Sequence, residues 1–278
     1  MSATVQATDK FDIINGLRIH YLVWGNAAKQ PLILLHGIAR MAHTFDHVAP
    51  QLAKNYHVIA VDMRGHGDSA WHAQGAYLVE DYCSDIEGLI EQLGLRNIVL
   101  WGASTGGRVV QMIAGRRPDW VSSVIVEDVG PERPATISNR RGDRMAKEVN
   151  GWANLDDMLL QIRAENPRAR DDVLRNLAQY GSRKREDGRL EWRRDPAILK
   201  GFVPTELWDT VRNIKAPILY VLGGISAIVP PQTQQALQAA LPQAQMVTMP
   251  GLGHYPSDEN PEEFLAIVDR FLAGTAAQ

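Results

Sequence analysis

Cysteine is nearly absent: Cys83 is the only one in 278 residues. No intrachain disulfide can form, and a CxxC-type metal site is excluded. Cys83 falls in a helical apolar pattern (Val79, Cys83, Ile86, Leu89, Ile90, Leu93), where an inert core role is expected. Long apolar runs are missing as well, and none approaches the roughly 20 residues that span a membrane. Met1 to Lys10 is polar and holds no apolar segment of a secretion signal, so a cytoplasmic protein is expected. Charge of one sign is not in large excess, with 29 Lys and Arg against 32 Asp and Glu. The basic run Arg183-Lys184-Arg185 has no aromatic residues interleaved. It reads as a solvated turn, and no nucleic-acid partner is expected. What is plentiful is apolar sequence, 45% of the chain. A chain of this size buries roughly three quarters of its unfolded surface, so one large core suffices without staples.

The apolar segments alternate in kind. Phe11 to Trp24 reads as a hairpin about Asn15-Gly16, the pair that favours a type I′ turn. Pro31 to Leu35 is a continuous apolar run, as expected of a strand buried on both faces. Further strands are expected at His57–Val61, Asn97–Trp101, Val121–Val126, Pro217–Leu222 and Gln245–Met249. Helical patterns at Thr44–Leu52, Val79–Leu93, after Ser104 to about Arg116, Pro231–Ala240 and Pro261–Leu272 separate them. That rhythm predicts right-handed crossovers and a mostly parallel sheet with helices on both faces. The rhythm breaks at Gly130-Pro131. From 132 to 205 only helical segments and the basic turn are expected, so this stretch reads as a helical cap inserted over the C-terminal edge of the sheet. Residues 1–131 and 206–278 then form the core domain. The insertion carries 16 basic and 12 acidic residues, which leaves 13 and 20 for the core. A positive lid on a negative body favours an anionic small-molecule substrate, although surface salt pairs account for the same count.

The chemistry centres on Gly102-Ala103-Ser104-Thr105-Gly106, lying between a predicted strand and a predicted helix. In that context the glycines leave room for a strained serine whose hydroxyl is presented above the sheet, and the following helix offers free N–H groups. Ser104 is the expected nucleophile. In order along the chain stand His36-Gly37, Arg64-Gly65-x-Gly67-x-Ser69, the Ser104 turn and Gly253-His254. Together they resemble the α/β-hydrolase superfamily over the whole chain except the cap. The resemblance implies His254 as the base that activates Ser104, with His36 and His66 structural. It also implies an oxyanion hole made by the backbone amides of Ile38 and Thr105, and no cofactor or metal.

One element of the pattern is missing. The acid that orients the histidine commonly follows the strand after the cap, and Leu222 to Pro230 contains no carboxylate. The strand before the cap ends Val126-Glu127-Asp128, and some α/β-hydrolases carry their acid there. Asp128 is the preferred candidate because strand alternation turns Glu127 to the opposite face. Glu127, or a dyad without a carboxylate, remains the alternative. Asp258 and Glu259 read as acids at a helix start, serving its dipole.

The displaced acid and the Gly224-x-Ser226-x-x-Val229 turn also resemble (E)-2-(acetamidomethylene)succinate hydrolases. Those enzymes open an enamide and hold a dicarboxylate with cap arginines. Arg144 matches one arginine, whereas the second matching position is Glu165, with Arg163 and Arg168 nearby. The reading is a serine hydrolase acting on a small amide, enamide or ester through an acyl-enzyme. One alternative is a cofactor-independent dioxygenase using a His–Asp pair, whose relatives differ from this chain at Ile38 and Thr105. Another is a binding protein that keeps the site for capture. Epoxide-hydrolase and dehalogenase chemistry would need a carboxylate where Ser104 stands. Trp152, Trp192, Trp208 and Met145 are candidates for an apolar pocket or for core. Oligomeric state is left open.

Overall fold

A computed structural model describes residues 6–132, 148–199 and 205–276. Its frame is an eight-stranded sheet in the spatial order β1-β2-β4-β3-β5-β6-β9-β10. The strands are β1 (Thr8–Ile14), β2 (Leu17–Trp24), β3 (Pro31–Leu35), β4 (His57–Val61), β5 (Ile98–Ala103), β6 (Val121–Glu127), β9 (Ile218–Gly223) and β10 (Gln245–Met249). β1 and β2 form the expected hairpin, with Asn15 and Gly16 at φ 51° and 79°, the pair of positive values a type I′ turn demands. β2 meets β4 antiparallel, and every pairing beyond it is parallel.

The central strands are buried from end to end because helices cover both faces. One face packs under α2 (Val79–Gln92) and α3 (Thr105–Arg116), and α7 (Pro231–Ala240) adds Leu237. Cys83 belongs to this layer and is fully buried. The other face packs under α1 (Ala49–Leu52) and α9 (Pro261–Ala276), through Leu52, Phe264, Val268 and Phe271. Among the described residues no helix is long and apolar enough to cross a membrane.

Two expectations change. The helix expected over Thr44–Leu52 is instead a 3-10 turn (Ala42–Phe45) followed by the short α1. Pro50 lacks an N–H and would crowd the carbonyl four residues earlier, so one continuous helix cannot run through it. The insertion is not wholly helical either. After α4 (Leu155–Glu165) and α5 (Asp171–Gly181), residues Ser182–Lys184 (β7) and Leu190–Trp192 (β8) pair antiparallel. The basic run thus supplies a strand rather than a solvated turn. Arg183 bonds Glu191 across the hairpin at 2.8 Å and its guanidinium lies 4.4 Å from the Trp71 ring centre. Three-residue strands with no apolar alternation give no period to detect.

A third, smaller apolar cluster joins residues 152–192 to Met41. Trp152 and Trp192 meet edge to face at 5.7 Å, surrounded by Met158, Ile162, Leu174 and Leu177. Trp208, on α6 (Trp208–Val211), instead packs against the main core and donates to Glu132 at 3.1 Å. Met145 lies outside the described residues.

The tightest point of the fold is the junction of β5, α3 and β3. A Cβ on Gly106 would overlap the carbonyl oxygens of Leu35 and His36, and one on Gly102 would overlap the Gly106 carbonyl. Backbone cannot yield as a flexible side chain can. Gly106→Ala is therefore expected to destabilise the protein by about 1–3 kcal/mol, read as a lower midpoint in urea unfolding. An unchanged midpoint would mean that this contact is not what limits the approach of α3 to the sheet.

Candidate active site

Ser104 links β5 to α3 with φ 52° and ψ −116°. For a residue with a side chain this is a strained, sparsely populated conformation. The glycines two residues away on either side make it possible, because the strand end, the turn and the helix start press together there. The strain points the Ser104 hydroxyl out of the sheet's carboxyl edge.

Two other strand ends meet it. The loop after β10 carries His254, whose Nε2 lies 3.0 Å from Ser104 Oγ. Its Nδ1 lies 2.7 Å from Asp128 Oδ2, at the end of β6. A neutral imidazole fits this arrangement, with Nδ1–H donating to the carboxylate and Nε2 accepting from the hydroxyl. Asp128 is buried and turns the chain at φ 47°. Its Oδ1 accepts the Gly223 amide at 3.0 Å, and its Oδ2 also accepts the Ser226 hydroxyl. The structure thus brings Ser104, His254 and Asp128 together in one chain of hydrogen bonds.

Glu127 points the other way. It is fully buried, accepting the Ser257 amide at 2.8 Å and the Trp101 indole at 3.3 Å. Burial, with Asp258 nearby, pushes its carboxyl up to about 8.

The two amides singled out as oxyanion donors line the same cavity as Ser104. Thr105 opens α3, where the first amides of a helix have no intrahelical acceptor. The Ile38 amide, in the loop after β3, likewise has no acceptor among the described residues. Two histidines brace that loop. His66 Nε2 accepts the Ala39 amide at 3.2 Å, while its Nδ1 donates to the Arg64 carbonyl at 3.0 Å. His36 Nε2 accepts the Met63 amide at 3.1 Å, and its Nδ1 donates to the Gly37 carbonyl at 2.8 Å. Burial holds both below the usual histidine range, His66 down to about 3, so each stays neutral and can accept.

The cavity above Ser104 measures about 490 Å³, a size that suits a small molecule. Ile38, Val129, Ile162, Leu177, Trp192 and Ile228 give it apolar walls. Charged side chains border it as well, Arg40, Arg108 and Arg168 against Glu132, Glu165, Asp258 and Glu259. Arg163 is turned away, bonded to the Ala169 carbonyl and paired with Asp171. Arg144 lies outside the described residues.

The sequence pattern missed four of the site's neighbours. Ser226, noted only as the place where an acid is lacking, supports the acid that has moved. Arg40, two residues beyond Ile38, pairs with the buried Asp258, which also stands in the first turn of α8 (Pro256–Glu259), as expected. Glu259 accepts the Gly253 amide at 2.9 Å, holding the turn before His254. Tyr255 faces the cavity beside Gly37. Ser226 and Arg40 could have been suspected from their places in the two loops that frame the site.

Metal-type donors cluster elsewhere, at His20, Asp62 and Asp68. Each already has partners, the Asp68 carboxylate pairing with Arg193 at 3.0 Å and His20 Nε2 lying 3.1 Å from Asp9. His20 Nδ1 lies 2.7 Å from Asp62 Oδ2, and the Asp62 oxygens also take the Ala42 and Asp68 amides at 2.6 and 2.8 Å. This group knots β2, β4 and the loop after β4.

Comparison with known proteins places the chain. The pattern of the alpha/beta hydrolase fold family matches residues 30–261, so the chain belongs to that family. It is 29% identical over 265 residues to the sn-1-specific diacylglycerol lipase of Mus musculus, covering 91% of this chain and 84% of the lipase. It is 28% identical over 277 residues to the 3-hydroxybutyrate-oligomer hydrolase of Cupriavidus necator, covering 92% and 93%. It is also 28% identical over 249 residues to the 2-(acetamidomethylene)succinate hydrolase of Mesorhizobium japonicum, covering 87% and 88%. A crystal structure of E-2-(acetamidomethylene)succinate hydrolase superposes with a TM-score of 0.87, covering 96% of this chain and all of that one. At 24% identity this last likeness is one of fold. The chain is a hydrolase of this family.

Glu127 gives the site a pH signature. Burial, with Asp258 nearby, pushes its carboxyl up to about 8 from the ordinary glutamate value of about 4.5. The folded protein therefore holds the extra proton between those values. The stabilisation is complete below about 4.5 and is lost as pH rises through about 8. Glu127→Gln is expected to flatten the fall in urea-unfolding free energy between pH 5 and 8. An equal slope in both proteins would place the carboxyl's titration outside that window.

Proposed function

We propose that this chain is a serine hydrolase that cleaves a small amide, enamide or ester through an acyl-enzyme. The observation that carries the reading is the continuous hydrogen-bond chain from Ser104 through His254 to Asp128, beneath a cavity that also receives the Ile38 and Thr105 amides. A serine hydroxyl is a weak nucleophile until a base lies within reach. Here Oγ attacks the substrate carbonyl carbon while its proton passes to His254 Nε2. The oxyanion that forms is met by the two backbone amides. The tetrahedral adduct then collapses: the bond to the leaving group breaks, and that group takes the proton from His254. Water attacks the acyl-enzyme in the same sense, giving a proton to His254. Ser104 Oγ departs with that proton, and the carboxylic acid is released. Asp128 holds His254 in the required tautomer and offsets its transient charge.

Residues 132–205 act in this reading as the cap that shapes the substrate. An anionic substrate is supported by the basic balance of the insertion and by the likeness to a 2-(acetamidomethylene)succinate hydrolase, while the cavity border itself sets three arginines against four carboxylates. The dioxygenase alternative gains nothing from the relatives above, which carry hydrolase and lipase names.

Labelling with a fluorophosphonate should give one adduct, mapped to Ser104 by peptide mass spectrometry and absent from Ser104→Ala. On an activated ester such as p-nitrophenyl acetate, Ser104→Ala should lower kcat by at least ~10³-fold. A loss within tenfold would remove Ser104 as nucleophile. Asp128→Asn should cost on the order of 10⁴ in kcat, with folding kept as judged by circular dichroism. Retained turnover in that variant would reduce the machinery to a Ser–His pair.

A further inference from the structure

Tyr255 follows His254 and projects its phenol back over the reacting centre. The two rings lie 4.4 Å apart, tilted by 53°. A methyl group placed on Gly37 would collide with the Tyr255 hydroxyl and lie 3.1 Å from Ser104 Cβ. The hydroxyl and the Ser104 side chain therefore border the same methyl-sized space, above the residue that precedes the Ile38 amide. Among the described residues the Tyr255 hydroxyl has no hydrogen-bond partner, although the ring lines the cavity.

The ring is held from behind. The Arg40 guanidinium lies 3.5 Å from its centre. Arg40 is itself fixed at both ends of its fork, by Asp258 through Nη1 and by Asn166 Oδ1 through Nη2 at 3.1 Å. A guanidinium stacked flat and bonded at its edge is a rigid backing. A clamped aromatic ring with an uncommitted hydroxyl beside a nucleophile is a preorganised donor, which costs no reorganisation when charge develops in front of it.

We propose that the Tyr255 hydroxyl is a third donor to the oxyanion, acting with the Ile38 and Thr105 amides, and that Arg40 positions it. The inference rests on the acyl-enzyme reading above. In both acylation and deacylation the negative oxygen then takes three hydrogen bonds, and no proton is transferred to or from Tyr255. Tyr255→Phe removes only an oxygen with no described partner, so the fold should be kept and the thermal midpoint should move by no more than a few degrees, ~3 °C.

The test compares wild type and Tyr255→Phe on p-nitrophenyl acetate and phenyl acetate, which share an acyl group and differ in leaving group. A third oxyanion donor predicts that kcat/KM falls by about 10- to 100-fold, by the same factor on both esters. It also predicts that a trifluoromethyl ketone, which forms a tetrahedral adduct with a serine, binds more weakly by a comparable factor. Arg40→Lys, which keeps a charge but loses the flat stacked plane, should show a smaller loss in the same sense. Unchanged kcat/KM in Tyr255→Phe overturns the proposal. So does a loss confined to phenyl acetate, which would place the hydroxyl on the leaving group, or a change in KM alone. A fully active Ser104→Ala in the same assay would instead remove the acyl-enzyme reading, so the two failures are told apart.

Discussion

The close approach of β3, β5 and the first turn of α3 is the constraint on which the site depends. The Leu35 and His36 carbonyls press on Gly106, and the Gly106 carbonyl presses on Gly102. Nothing larger than hydrogen fits at either place, and between them Ser104 is forced into a positive-φ turn. Strain of this kind costs on the order of 1–3 kcal/mol and persists only where surrounding packing over-determines it. The packing here is ample, since β5 is wholly buried, β3 is buried from Leu32 on, and α3 is buried from Thr105 to Gly115. The same crowding sets the amides of Thr105 and Ile38 at one cavity with the hydroxyl. The proposed nucleophile and the proposed oxyanion donors are thus consequences of one packing event.

The placement of the acid follows from a second junction, between β6 and β9. Asp128 turns out of β6 with its own amide bonded to Val221 at 2.9 Å and its carboxylate bonded to Gly223 at the end of β9. Its neighbour Glu127 faces the far side, beneath Trp101 and Ser257. Alternation along one strand therefore separates two adjacent carboxylates into different environments. Glu127 is desolvated beside Asp258 and bonded to Ser257 and Trp101, whereas Asp128 takes a backbone amide, a hydroxyl and the His254 imidazole. The Ser226 hydroxyl occupies the loop from which an acid is missing, and it donates to the acid that stands across the gap. A carboxylate at 226 would instead set two like charges side by side.

Much of this was legible in the chain itself. The parallel sheet followed from buried apolar runs at βα spacing, and the Ser104 turn followed from glycines placed two residues either side of a serine at a strand end. The preference for Asp128 over Glu127 came from its place at the strand's end, from the family resemblance and from the period of two. What escaped were features without a period. The β7–β8 hairpin has three-residue strands rich in charge, and its turn is marked only by Asp187-Gly188, with Gly188 at φ 84°. Arg40, Asp258 and Asn166 are 218 and 126 residues from their partners along the chain. No local rule connects them, because their meeting depends on three loops converging over one sheet edge.

That convergence links the insertion to the chemistry. On one side, Asn166 in the α4–α5 loop holds Arg40, and the Arg170 amide bonds the Asp258 carbonyl at 3.1 Å. On the other, the stretch after β8 runs alongside the loop that follows β4. Gly67 donates to the Arg193 carbonyl at 2.9 Å and Asp195 to the Gly65 carbonyl at 2.8 Å. Between those two bonds stands His66, whose ring accepts the Ala39 amide beside the proposed oxyanion donor. Both routes therefore end on the 37–40 loop, one through Arg40 and one through His66. A shift of the insertion would be felt first by that loop, which adjoins the glycine junction that fixes Ser104. In the proposed reading, the stretch that borders the cavity is thus tied to the loop carrying one proposed oxyanion donor, while Ser104 is held by the sheet.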